Sequence, residues 1–421
     1  MTDTGNGSKQ TLRLGIIGIG VGGSEILPAI GTVPEIELVA CADTNRQVLE
    51  RFHDRYPATR IYETAEALCA DPEVDAVWVS TPNRFHAPHS LLGLNNKKHV
   101  VVEKPMAITL AEAEEMCAAA DRNGVKLLAG HTTSFSTPIR AMRKIIQSGE
   151  LGPVRFINIS AYSDWMLRPR TADELDPSQG GGVPYRQGPH QVDTVRVLGG
   201  GLVKSVRAMV GEWQPERPIA GFYSAFMELE GGVSATIVHN GYGYFLSHEL
   251  VPWGGESHAY DPAQRVKVRK SLRDRTRDED ADKQNLRIGG AAELHGPNVP
   301  QRNVWLPVAA GMVIVSCERG DMRHSADGIW VYGDEGRREI LLEDAPGVVG
   351  RRAELTELYD SVVLDKPVYH DGRWGMATLE VCLAMLESSR EHREVQLTHQ
   401  VPVHPDYDAG FEIAALQGTR G

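Results

Sequence analysis

Three glycines, Gly18, Gly20 and Gly23, stand in a G-x-G-x-x-G spacing, and a carboxylate, Asp43, follows 20 residues beyond the last of them. Between a strand and a helix this spacing cradles a pyrophosphate. The first glycine permits the tight turn, the second lets backbone approach the phosphates, and the third lets helix and strand pack closely. A carboxylate ending the second strand accepts hydrogen bonds from ribose hydroxyls and repels a 2'-phosphate, which favours NAD over NADP; Arg46 nearby leaves NADP open. The plainer alternative is a structural turn with Asp43 as a helix cap. Further on, Ser80-Thr81-Pro82-Asn83 and Glu103-Lys104-Pro105 each follow an apolar run. Oxidising an alcohol needs a hydride acceptor, a base for the hydroxyl proton and a positive charge for the developing alkoxide. Lys104 can supply the charge, although spacing alone reads it equally well as a surface lysine.

These residues need a scaffold, and the apolar pattern predicts one. Strands are expected over 12–19, 36–42, 76–79, 99–102 and 126–129, alternating with helices over 24–30, 65–70, 86–94 and 110–123, the last stopped by Gly124. That rhythm is a doubly wound parallel sheet with its ligands at the carboxyl edge. Beyond about residue 133 the pattern changes to a helix over 138–147 and alternating runs over 154–159, 203–210, 224–229 and 234–240. A hairpin over 329–342 and late helices over 352–364 and 376–390 follow. The fold class is therefore α/β: a Rossmann domain over 1–133 and, over 134–421, an α+β domain with a large, open, mostly antiparallel sheet. The charged stretch 263–285 reads as a solvated insertion, a lid or a subunit contact.

The 421 residues are enough for two such cores, and the net charge of −12 argues against nucleic acid. A small molecule is the expected partner. Residues 1–10 lack the apolar stretch of a signal peptide, so a cytoplasmic protein that meets no membrane is expected. The five cysteines have no C-x-x-C spacing, and the His86/His89 pair has no third ligand nearby, so no metal site is expected.

The chain resembles the glucose-fructose oxidoreductase and inositol dehydrogenase family, Gfo/Idh/MocA. The resemblance runs through the glycine loop, Thr81-Pro82-Asn83 with His86, Glu103-Lys104-Pro105 and Gly149-Glu150-Leu151-Gly152. It continues through Gly181-Gly182 to His190 and Asp193, and on to Ser388-Ser389-Arg390. It implies cofactor contacts from Gly18, Gly20, Val21, Gly23, Asp43, Thr81, Pro82, Asn83, His86, Glu103 and Lys104. It also implies a reaction site made by Lys104 and His190, with His190 as the base. Without it, His190 reads as a helix-start histidine. Asp193, three residues on, is expected to face His190 and fix its tautomer. A homodimer or tetramer is implied as well, through the open faces of the second-domain sheets.

The chain departs from the family where its sugar and polyol dehydrogenases carry an aspartate four residues before the histidine. Here Arg186 follows Tyr185 at that place. A guanidinium prefers carboxylates, so an acidic substrate is expected, held by Arg186 and Tyr185 with help from Arg168 and Arg170. Arg168 and Arg170 read equally well as surface pairs with Asp173 or Glu174. Within the family the run 181–196 is most similar to the branch that converts phthalate cis-4,5-dihydrodiol to 4,5-dihydroxyphthalate with NAD. A sugar, polyol or glycoside dehydrogenase, and a dinucleotide-binding regulator that turns nothing over, are the alternatives.

Overall fold

The computed structural model describes residues 10–253, 262–294, 305–307, 310–342, 349–409 and 411. Six strands make the first sheet: β1 (Leu12–Ile17), β2 (Ile36–Ala42), β3 (Arg60–Tyr62), β4 (Ala76–Val79), β5 (His99–Glu103) and β6 (Leu127–Gly130). They lie parallel in the order β3-β2-β1-β4-β5-β6. Val77, Val79, Val100 and Val102 enter one core and Ala76, Trp78 and Val101 the other, so both faces are buried. This double burial is why the strands read as continuous apolar runs. Order reverses between β1 and β4, which opens a crevice at the carboxyl edge, where the glycine loop and the Ser80–Asn83 segment meet.

The second sheet has nine strands: β7 (Val154–Tyr162), β8 (Val203–Gly211), β9 (Phe222–Leu229), β10 (Ser234–Asn240), β11 (Met312–Cys317), β12 (Gly320–His324), β13 (Gly328–Gly333), β14 (Gly336–Leu341) and β15 (Val395–Gln396). Their order is β14-β13-β12-β11-β7-β10-β9-β8-β15, and only the β7–β10 pair is parallel. One face packs Ile157, Ile159, Met227, Ile237 and Val313 against Val192, Val195 and Met385 of the helices Gly188–Gly199 and Gly372–Glu391. The opposite face is open and carries Phe226, Ile314 and Met209 exposed.

Three expectations change. The helix over 24–30 is broken into two turns, Val21–Ser24 and Leu27–Ile30, because Gly22 and Gly23 disfavour helix and Pro28 cannot donate to it. The stretch 263–285 is no free solvated segment. It forms the helices Pro262–Arg273 and Glu279–Asn285, and the second is tied down by Arg217 on Glu279 and Lys283 on Glu174. The late helix Val349–Val363, expected within the second domain's span 134–421, instead has its Leu355, Leu358 and Tyr359 complete the core around Leu14, Ile16 and Trp78 of the first sheet.

Candidate active site

The glycine loop is closed at two glycines and open at the third. Gly18 has φ +88°, and a Cβ there would sit 2.9 Å from Thr81 Cγ2; at Gly23 it would lie 2.0 Å from the carbonyl oxygen of Gly18. At Gly20 a Cβ would meet nothing within 4 Å. The middle glycine thus faces open space, as a site for a pyrophosphate requires. Asp43 accepts from the backbone N–H of Ile19 at 2.9 Å and of Asn45 at 2.8 Å. The cap of the next helix is Asn45, whose side chain accepts from Val48 N, so Asp43 straps the loop rather than capping the helix. Arg46 projects outward and bonds Glu50.

On the other wall, Ser80 Oγ donates to the Gly18 carbonyl at 2.6 Å. His86 is buried, with one ring nitrogen 2.7 Å from the Thr81 carbonyl and the other 2.7 Å from that of Pro105. It braces the two loops and does not face the crevice. Asn83 is buried too and donates to the Gly180 carbonyl at 2.8 Å, while Pro82 lies exposed.

Lys104, just after β5, and His190, in the helix Gly188–Gly199, come close enough for the lysine charge to act on the imidazole. Lys104 Nζ donates to the Arg186 carbonyl at 3.0 Å. Burial, and next the Arg186 guanidinium, push this ammonium down to about 8 against the pull of Glu103 and Glu25. His190 Nδ1 lies 2.9 Å from Thr133 Oγ1. Burial, and next the Lys104 charge, hold its imidazole well below the ordinary histidine value, so it is neutral where Lys104 is charged. The two groups therefore ionise in the order that a neutral base beside a fixed cation needs.

Asp193 does not orient His190. It is fully buried and its Oδ1 accepts from the indole N–H of Trp374 at 2.6 Å, so it locks two helices of the second domain. Helical spacing brings i and i+3 to one side of a helix, but the neighbouring helix Gly372–Glu391 claims the carboxylate first. The hydroxyl that holds His190 is that of Thr133, from the chain just after β6. Nothing in the local spacing of Thr133 marks it.

The arginines part company. Arg168 is exposed and pairs with Asp164. Arg170 is buried, stacks 3.9 Å over the Trp165 ring and pairs with Glu174 at 2.9 Å. Arg186 reaches Asn83 Oδ1 at 3.2 Å and Glu174 at 3.1 Å, with its side chain 25% exposed. Lys283 also meets Glu174, at 2.8 Å. Burial alone would raise the Glu174 carboxyl; Arg170, Arg186 and Lys283 outweigh it and hold it well below the carboxylate range. Tyr185 leans on the first domain, its hydroxyl 3.3 Å from the Ile108 carbonyl.

Residues 12–131 match the family model described as an oxidoreductase family with an NAD-binding Rossmann fold, and residues 139–244 match the GFO/IDH/MocA C-terminal domain. Fold and matches together define an NAD(P)-dependent dehydrogenase built on an NAD-binding Rossmann domain. The chain is 35% identical over 385 residues to the 1-carboxy-3-chloro-3,4-dihydroxycyclohexa-1,5-diene dehydrogenase of Comamonas testosteroni, covering 90% of this chain and 95% of that one. It belongs to the Gfo/Idh/MocA oxidoreductase family. A solved structure from Bordetella bronchiseptica RB50 superposes with a TM-score of 0.82 at 35% identity, over 92% of this chain and 100% of that one. A 28% identical relative over 228 residues, 53% of this chain and 67% of its own, is the mouse trans-1,2-dihydrobenzene-1,2-diol dehydrogenase. Among the described residues no helix is long and apolar enough to cross a membrane.

Proposed function

We propose that the protein oxidises a hydroxyl-bearing ring carbon of a carboxylated cyclic diol with NAD, and that phthalate cis-4,5-dihydrodiol is its substrate. The observation that carries this is the charge around Arg186. Three cations, Arg170, Arg186 and Lys283, share the single carboxylate of Glu174, and of the three Arg186 is the most exposed. A surplus of positive charge beside Lys104 favours an anionic ligand, and a guanidinium takes a carboxylate through paired hydrogen bonds. The activity named for the Comamonas relative, dehydrogenation of a carboxylated ring diol, supports the same class.

Gly18, Gly20, Gly23, Asp43, Thr81 and Asn83 would hold the dinucleotide, which supplies the hydride acceptor when bound. His190, in the tautomer that donates Nδ1–H to Thr133, presents its Nε2 lone pair as base and takes the hydroxyl proton as the carbinol C–H pair departs as hydride. Lys104 offsets the negative charge that develops on the oxygen. The enone released then tautomerises to the catechol, and aromatisation drives the reaction forward. We further propose a homo-oligomer formed through the open sheet face bearing Phe226, Ile314 and Met209, to be checked by light scattering of the eluted protein.

The test is NADH formation with NAD and either the phthalate dihydrodiol or a neutral panel of glucose, inositol and glucosides, for wild type and Arg186→Ala. Turnover confined to the dianion and lost with Arg186 supports the reading. Turnover of the neutral panel, indifferent to Arg186, replaces it with a sugar or polyol dehydrogenase.

A further inference from the structure

Near Lys104 lies a second ion cluster, largely buried. The guanidinium of Arg351, 9% exposed, meets Glu103 at 2.6 Å, Glu25 at 2.8 Å and Glu354 at 3.0 Å. These carboxylates come from three places. Glu25 lies two residues past the last loop glycine, Glu103 immediately precedes Lys104, and Glu354 stands one turn along the returning helix Val349–Val363. The other Glu354 oxygen accepts from Thr132 Oγ1 at 3.0 Å. The start of that helix is pressed onto the same turn, since a Cβ at Gly350 would lie 2.4 Å from Thr132 Cγ2. The next residue, Thr133, is the one that holds His190.

From this geometry we infer that Arg351 is a positioning residue of the reaction site: by tying Glu25 and Glu103 together it fixes how much negative charge Lys104 feels and where its strand end lies. This rests on the reading of Lys104 as the cation of the reaction. One guanidinium cannot balance three carboxylates, so part of their charge acts on the nearest other cation, the Lys104 ammonium. Glu103 and Glu25 hold its proton on, Arg351 and Arg186 press it off, and His190, His86 and His131, on which the Lys104 charge also acts, are held neutral by burial. Burial pushes the Glu354 carboxyl up to about 7. Arginine alone among side chains offers a planar fork wide enough for all three partners at once.

The experiment titrates Lys104 itself. The rate at which acetic anhydride acetylates Lys104 is followed against pH by peptide mass spectrometry in the full chain, with folding checked by a cooperative melt. In Arg351→Met the midpoint is expected to rise by about one pH unit, because a repelling charge is gone while Glu25 and Glu103 stay. That variant leaves buried carboxylates facing one another, so Glu25→Gln, at a partly exposed position, is run beside it; there the midpoint is expected to fall by about half a unit. A shift in the expected direction in whichever variants fold supports the role, and midpoints that coincide with wild type overturn it. The readout needs no turnover, so failure of the dihydrodiol as substrate would be seen separately.

Discussion

The two ion clusters whose charges act on Lys104 have inverted compositions. On one side a single guanidinium, Arg351, meets three carboxylates; on the other a single carboxylate, Glu174, meets Arg170, Arg186 and Lys283. The first is closed at Arg351 and has Lys104, the proposed cation of the reaction, within reach of its charges. The second carries surplus positive charge and ends in Arg186, which is open to the crevice. A closed cluster can only tune its neighbour, whereas an open one of unbalanced sign can be completed by a ligand of the opposite sign.

Removing what both clusters surround should give the largest effect. Lys104→Ala is expected to lower kcat by on the order of 10²- to 10⁴-fold, read as NADH formation at saturating dihydrodiol. Next comes stability. Glu174→Gln leaves the buried Arg170 and the half-buried Arg186 and Lys283 without their carboxylate and is expected to cost about 3 kcal/mol in urea unfolding, while Glu354→Gln, at an acid already pushed up to about 7, costs much less. Because the Glu174 carboxyl is held low in the folded state, its contribution is complete above the ordinary carboxylate range and lost only as pH falls through the folded value. Equal losses for the two glutamines would erase the contrast between the clusters.

Arg186→Ala sharpens it on the substrate side, with kcat/KM for the dianion expected to fall about 10- to 100-fold and any neutral diol unaffected. The pH profile is subtler. Activity should decline above about pH 8 as Lys104 loses its proton, and no acid limb should appear near 6.5, since His190 stays neutral well below that pH. Smallest, Asp43→Ser is expected to move the NADP-to-NAD preference by about tenfold, from kcat/KM with each cofactor.

Local signals made much of this molecule legible. The helix Leu110–Asn123 announces both ends, through the Thr109–Glu112 capping box and Gly124 in the left-handed region, and its expected bounds match. Buried parallel strands such as β2 and β4 are equally plain. The edge strand β3 has three residues and a largely exposed face, so it carries no pattern to read. The helix Arg46–Arg55 did leave a signal, in Asn45 before Val48, Leu49 and Phe52, which the charged residues between them obscure. In the hairpin β11–β12, which turns through Glu318 and Arg319, β12 carries Asp321 and Arg323 on the open face and reads as loop, whereas the apolar run Met312–Val315 of β11 does carry a strand signal. At the site, Lys104 is marked by its place after β5. Glu174 is marked only as a local partner of Arg170, four residues before it, whereas Lys283, Arg351 and Thr133 are not marked at all, because each acts on a partner more than 50 residues distant, and spacing is blind to that. Asp193 shows the converse, a correct spacing overruled by Trp374.

The returning helix also bears on how the chain is made. Leu355, Leu358 and Tyr359 finish a core begun by Leu14 and Ile16, so the nascent first domain leaves the ribosome with one wall missing. The gap between β6 and the end of that helix is about 230 residues, roughly ten to fifty seconds of translation at ordinary rates. For that interval the core around Trp78 lacks the part of its cover that this helix supplies.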